Sequence, residues 1–112
     1  MGQLFYGTAN TSLPIHDRLL AYLQVVIATK MRRGESFTLS WTSAPGAPEA
    51  RTTIWLQPAI QIRFVYDGTQ PERLHPAYLH NLAAQANSSG GIIVGAATWE
   101  DQEKAHGKVA TR

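Results

Sequence analysis

The chain has 112 residues, a formal net charge of +2 and no cysteine. Its length is typical of one domain that buries a hydrophobic core without cross-links, and the lack of cysteine excludes disulfides and thiolate metal sites. The small net charge excludes the polybasic proteins that coat nucleic acids, although a local cluster of cations could still bind phosphate. The longest apolar run, residues 19–27, is interrupted by Gln24 and is too short to span a bilayer. We therefore expect a soluble, cytoplasmic protein with no membrane partner.

A short strand and a long apolar helix come first. Residues 3–6 are predicted to form an edge strand that ends at a glycine. The helix is predicted to begin with either His16 or Asp17 as its cap. Because residues 19–27 leave almost no polar face, protein must cover this helix on most sides. Gly34 suits the left-handed position that follows a helix end.

Three strands are predicted next, at residues 36–42, 51–57 and 60–66. Each alternates apolar and polar side chains, which is typical of a sheet with one buried and one solvent-exposed face. The short links between them favour an antiparallel meander. The residues predicted to face inward are Phe37, Leu39, Trp41, Ile54, Leu56, Ile60, Ile62, Phe64 and Tyr66.

A second helix is predicted from the residues at its two ends and from its apolar spacing. His75 stands where a cap belongs, and Pro76 suits the first helical position. Apolar residues recur at three- and four-residue spacing from Tyr78 onward, which predicts one buried stripe. The polar and glycine run at residues 87–91 ends the helix, and residues 92–94 are sufficient for one last short strand.

These elements predict an α+β domain with the order β-α-β-β-β-α-β. Both helices should cover one face of a mostly antiparallel sheet, because an apolar sheet face must be covered and the chain has only these two helices to cover it. The domain is expected to occupy residues 1–95. Residues 96–112 are more polar, and we expect a frayed helix or a disordered tail there.

The outward side of the three strands is the first candidate binding surface. Arg51 and Trp55 lie on the second strand, and Arg63 lies on the third. Cations beside an exposed indole can bind phosphate and stack a base, as single-strand-binding proteins do. Two other interpretations stay open: an interface with a partner or a second copy, and an ordinary solvated sheet face.

A second basic cluster lies at the end of the first helix. Lys30, Arg32 and Arg33 could bind a phosphate backbone. Cations at this position also complement the negative end of the helix dipole, and that structural role is the alternative. Neither cluster is accompanied by a recognisable catalytic motif.

Catalytic and metal-binding motifs are missing from the sequence. No serine has the flanking glycines of a nucleophile elbow. The histidines do not have the His-Glu-x-x-His spacing of a zinc site. A phosphate-binding glycine loop precedes a helix, whereas the glycines at residues 90–91 follow one. We therefore predict no catalytic residue, no metal and no cofactor.

Four stretches of the chain carry a family resemblance: MGQLFYG, HDRLLAYLQVVIATKMRRGESFTLSW, RTTIWLQPAI and HPAYLHNLAAQANSSGGI. Together they resemble a family of small actinobacterial proteins of uncharacterised function that often carry the label ATP-dependent DNA ligase. The resemblance covers roughly residues 1–94. It rests on Lys30, on residues 32–37 and on the Ser-Trp and Ile-Trp-Leu runs at residues 40–41 and 54–56.

The ligase label implies transfer of adenylate from ATP to a lysine in the motif Lys-x-Asp-Gly. Asp67 and Gly68 match the end of that motif, but Val65 stands where the lysine should be. The chain is also too small to hold a nucleotidyl-transferase domain together with its partner domain. The resemblance therefore implies an accessory or DNA-contacting module rather than an active ligase.

Overall fold

The computed structural model describes residues 2–8, 12–42 and 51–95, where it has two helices and six strands. The predicted α+β class is confirmed, and the elements follow in the predicted order with one additional strand. The strands are β1 (Gly2–Tyr6), β2 (Ser12–Ile15), β3 (Phe37–Thr42), β4 (Arg51–Leu56), β5 (Ile62–Val65) and β6 (Ile92–Gly95), and the helices are α1 (Asp17–Arg32) and α2 (Pro76–Ala86).

Sheet 1 contains three antiparallel strands in the order β2-β1-β5. β1 pairs with β5 in a register that places Gln3 opposite Val65 and Leu4 opposite Phe64. The prediction that the first strand lies at an edge is therefore wrong. The additional strand β2 escaped prediction because it is short and contains Pro14, which an edge strand tolerates.

Sheet 2 contains the remaining strands in the order β4-β3-β6, with β3 antiparallel to β4 and parallel to β6. The predicted single meander is wrong, because β5 pairs with β1 and not with β4. A turn in which the Ile60 N–H donates to the Gln57 carbonyl at 3.1 Å carries the chain from one sheet to the other. Side-chain alternation determines which face of a strand is buried, but it does not determine the neighbouring strand.

Helix α1 begins and ends as the sequence indicates. The His16 imidazole accepts the N–H of Arg18 at 3.2 Å, which makes His16 the cap. After the last turn, Gly34 has φ +71°, and the N–H of Glu35 donates to the carbonyl of Lys30 at 3.0 Å. This is the Schellman arrangement that glycine permits. The side chains that α1 buries are Leu19, Leu20, Tyr22, Leu23, Val26, Ile27 and Lys30.

Helix α2 is also capped as predicted. The His75 side chain accepts the N–H of Ala77, and Pro76 is the first helical residue. The Tyr22 and Tyr78 rings meet edge to face with centroids 4.8 Å apart, and the Tyr22 hydroxyl accepts the N–H of His75 at 2.5 Å. The two helices are thus joined by an aromatic pair whose polar end is hydrogen-bonded.

A single hydrophobic core lies between the two sheets and the two helices, and all these elements contribute to it. Neither helix combines the length and the apolarity needed to cross a membrane. The expectation of a frayed helix or a disordered tail at residues 96–112 concerns residues outside the described segments. The fully buried side chains include Leu4, Ile15, Leu19, Leu20, Leu23, Leu39, Leu56, Leu82 and Ile92.

Candidate nucleic-acid interface

The outer face of sheet 2, which we call the Trp55 face, carries a largely exposed indole. Trp55 is 54% exposed, and Arg51 and Thr53 point to the same side of β4. The register places Thr53 opposite Ser40, and their hydroxyls are 2.8 Å apart. The predicted outward orientation of Trp55 is therefore confirmed. The Trp55 face consists of Thr38, Ser40, Thr42, Arg51, Thr53, Trp55 and Ile93.

The backbone of Trp55 is fixed from the other sheet. The Tyr6 hydroxyl, at the end of β1, donates a hydrogen bond to the Trp55 carbonyl oxygen. β4 pairs with β3 on one side only, so this hydroxyl satisfies a carbonyl on its free edge. The bond connects sheet 1 to sheet 2 at the residue that carries the exposed indole.

Arg63 does not lie on the Trp55 face. It lies on β5 in sheet 1, directly opposite Phe5, and its guanidinium carbon is 4.3 Å from the centre of the Phe5 ring. This is a cation–π contact. The prediction that Arg51, Trp55 and Arg63 share one sheet face is wrong, because it depended on β4 and β5 being neighbours.

Lys30 is not part of an exposed basic cluster. Its side chain is only 9% exposed, its ammonium lies 3.2 Å from the Glu35 carboxylate, and it donates a second hydrogen bond to the Asn87 side-chain oxygen. Lys30 follows Val26 by four residues and so lies on the buried stripe of α1. The predicted exposure of Lys30 is wrong, while its neighbours Arg32 and Arg33 are exposed.

The ammonium of Lys30 joins the C-terminal ends of both helices. Lys30 lies in the last turn of α1, and Asn87 is the residue that ends α2. A cation at this place complements the negative ends of two helix dipoles together. Glu35, the second residue after Arg33, supplies the counter-charge.

An open cleft of about 490 Å³ is lined by residues of these helix ends and by Trp55. We call it the Trp55 cleft. Sequence patterns do not indicate it, because the serines at 88 and 89 are equally typical of a helix stop. Its lining residues are Lys30, Glu35, Ser36, Phe37, Thr38, Trp55, Ala86, Asn87, Ser88 and Ser89.

The comparison with protein families gives one match, to the family described as a domain of unknown function (DUF7882), over residues 1–97. The chain belongs to this family. No curated protein and no solved structure matches the chain. The β1–β6 fold and the Trp55 cleft lie entirely within the DUF7882 match.

Asp67 and Gly68 of the DUF7882 domain take part in a structural hydrogen-bond network. The Asp17 carboxylate accepts the N–H groups of both residues, at 3.0 Å for each. The adjacent Tyr66 donates to the Gln24 side chain, and burial, followed by the charges of Asp17 and Glu72, raises the pKa of Tyr66 to about 12. This network holds the β5–α2 loop against the start of α1. No group of three or more acidic or histidine side chains in the described segments could hold a metal ion.

Proposed function

We propose that the protein is a small, non-catalytic DNA-associated module that contacts nucleic acid through the Trp55 face. The observation that carries this proposal is the exposed indole of Trp55 on the same side of the same strand as the guanidinium of Arg51. Their separation of four residues corresponds to about 13 Å along a strand. An aromatic ring can stack on a base while the arginine binds the phosphate backbone farther along. The resemblance to proteins with a DNA ligase label favours the same partner.

The charges on this surface predict modest affinity. The ammonium of Lys30 is already paired with Glu35, and Arg63 lies on the other sheet. Within the described segments, the exposed cations that we assign to the contact are Arg51 and, at the end of α1, Arg32 and Arg33. With phosphate contacts from these three residues, the logarithm of the affinity for a single strand should fall with the logarithm of the salt concentration with a slope of about −2.

Fluorescence anisotropy with a labelled single strand and a labelled duplex, each at two salt concentrations, tests this proposal. We expect binding at low salt that weakens as salt is added. Arg51→Ala should weaken binding and reduce the magnitude of the salt slope by about 0.7 for a single strand. Arg73→Ala removes the same charge from an exposed residue outside sheet 2 and should change binding little.

Two results would contradict the proposal. The first is an absence of binding to either DNA at low salt. The second is an equal loss of affinity in Arg51→Ala and Arg73→Ala, because that outcome would mean that only net charge matters. Circular dichroism of each variant establishes that the fold is retained.

The alternative proposal is a protein–protein interaction or homodimerisation module that has no nucleic-acid role. The supporting observation is that Trp55 and Ile93 are each more than half exposed, at opposite edges of the same face. Two apolar side chains on one flat face can form the centre of a symmetric contact.

Sedimentation equilibrium distinguishes this alternative. A homodimer through the Trp55 face predicts a mass above 12.3 kDa that falls to the monomer value in Ile93→Lys. A monomer at all concentrations, with DNA binding intact, would reject homodimerisation and favour the DNA proposal. A dimer that does not bind DNA would reject the DNA proposal and favour homodimerisation.

A further inference from the structure

The Trp55 cleft combines an aromatic residue with polar groups. Trp55 lines it together with Ser88 and Ser89 of the turn after α2. Its volume of about 490 Å³ lies within the range that small-molecule sites occupy in proteins. A planar ring of moderate size can enter such a cleft and lie against the indole.

A buried donor group also reaches this cleft. The ammonium of Lys30 carries three protons, and two of them are directed to Glu35 and Asn87. The third is not donated to any residue that the structure describes, and Lys30 lines the cleft. This proton can therefore be donated to a ligand that enters the cleft.

The charge balance of the cleft selects the kind of acceptor. Glu35 lines the cleft and neutralises Lys30. A phosphate placed there would be repelled by the Glu35 carboxylate, whereas a neutral ring with a carbonyl oxygen would not be. The phosphate-binding charge lies instead at Arg51, on the open part of the sheet.

We propose that the Trp55 cleft binds one unpaired nucleobase. The indole stacks on the base, and the third Lys30 proton is donated to a carbonyl or ring-nitrogen acceptor on the base edge. This proposal deepens the proposed function and rests on it where the base belongs to a strand. A base inside a duplex cannot enter the cleft, so the cleft selects single strands and free nucleotides.

The first experiment uses the full chain labelled with ¹⁵N and three probes: a thymine dodecamer, an abasic dodecamer with the same phosphates, and thymidine 5′-monophosphate. We expect the dodecamer to shift the Trp55 indole N–H and the Ser89 amide, and the monophosphate to shift the same resonances at millimolar concentration. Because it has no base to stack, the abasic dodecamer should bind at least fivefold more weakly than the thymine dodecamer.

The outcomes separate the two proposals. If the abasic strand binds as tightly as the thymine strand, the nucleobase site is refuted while DNA binding stands. If neither strand binds but the monophosphate shifts both resonances, the cleft is a free-nucleotide site and the DNA role is refuted. If none of the three probes shifts these resonances, both proposals are refuted.

A matched pair of variants tests whether the nucleobase binds in the Trp55 cleft. Ser89→Phe places a ring in the cleft, whereas Thr69→Phe makes the same change at an exposed residue outside it. We expect Ser89→Phe to weaken monophosphate and thymine-strand binding at least fivefold and Thr69→Phe to leave both unchanged. Equal binding by the two variants would overturn the assignment of the cleft, provided that both retain the wild-type circular dichroism spectrum.

Discussion

The close approach of β6 to β3 makes Gly91 a position where a single methyl group should have a large effect. Gly91 has φ +70° and precedes the strand that runs parallel to β3. A Cβ added to it would lie 3.0 Å from the carbonyl carbon of Thr38 and closer still to the carbonyl oxygen. Backbone atoms in a paired strand cannot rotate away, so Gly91→Ala must separate the two strands or distort the turn.

Two other glycines provide the scale for this effect. Gly34 has almost the same φ, +71°, but nothing lies within 4 Å of its added Cβ. Gly34→Ala should therefore cost only the left-handed conformation, about 1–2 kcal/mol. Gly91→Ala adds an overpacking cost of about 1–3 kcal/mol, which gives about 2–5 kcal/mol in total. Gly90 has open space and no positive φ, so Gly90→Ala should be neutral or stabilise by about 0.4–1 kcal/mol.

Urea unfolding followed by far-ultraviolet circular dichroism measures the free energy of unfolding for all three variants. A domain of this size has roughly 5–15 kcal/mol of stability, so the effect can be measured without complete loss of the fold. The expected order of destabilisation is Gly91→Ala, then Gly34→Ala, then Gly90→Ala.

A result in which Gly91→Ala costs no more than Gly34→Ala would refute the close approach of β6 to β3. The parallel pairing of these strands would then be wrong, and with it the position of Ile93 on the Trp55 face. A destabilising Gly90→Ala would instead mean that the turn after α2 is tighter than the structure has it.

Three further predictions concern the core and the helix ends. Lys30→Met, which keeps the buried stem but loses the ammonium, should cost about 1–3 kcal/mol in urea unfolding, whereas Glu35→Gln, at a half-exposed carboxylate, should cost less than about 1 kcal/mol. Leu23→Ala, at a fully buried side chain, should cost about 2–5 kcal/mol, and Trp55→Ala, at an exposed one, should cost less than about 1 kcal/mol. Burial, with the neighbouring Tyr22 adding to it, raises the pKa of Tyr78 to about 12 from its ordinary value near 10. The folded state therefore keeps this proton between pH 10 and 12 while the unfolded state loses it, and the free energy of unfolding should fall across that window by up to about 3 kcal/mol, as measured by urea unfolding at several pH values.

Each of these predictions has a contradicting outcome. Equal costs for Lys30→Met and Glu35→Gln would mean that the hydrogen bond to Asn87 contributes nothing. Equal costs at Leu23 and Trp55 would place the indole in the core and remove the proposed contact surface. For the alkaline window, Tyr78→Phe should reduce the pH dependence and leave the part that Tyr66 contributes, and an unchanged slope in that variant would assign the dependence to groups other than Tyr78.

Local patterns predicted the helices and their ends well. The histidine caps, Pro76 at the start of α2 and the left-handed Gly34 each depend on a few adjacent residues, whose chemistry acts over one helical turn. The outward orientation of Trp55 was predictable for a similar reason, since alternation along β4 needs only the apolar Ile54 and Leu56 beside it.

The candidate site itself was only partly predictable. Its indole and Arg51 follow from one strand, but the Trp55 cleft requires the ends of α1 and α2 to meet beside that strand. The pairing of Lys30 with Asn87 joins residues that are 57 positions apart. No local pattern contains that pairing, although the four-residue spacing from Val26 does place the stem of Lys30 on the buried side of α1.

The amino-acid sequence by itself determined the class of the domain, the extents of its helices and which sides of β3, β4 and β5 face the core. These features follow from side-chain periodicity and from capping groups that act on their immediate neighbours. Only the tertiary structure decided that the six strands form two sheets, that Arg63 lies on a different sheet from Trp55 and that the Lys30 ammonium is buried. The physical reason is that strand alternation is the same whichever strand is adjacent, so the choice of neighbour depends on how the whole core closes.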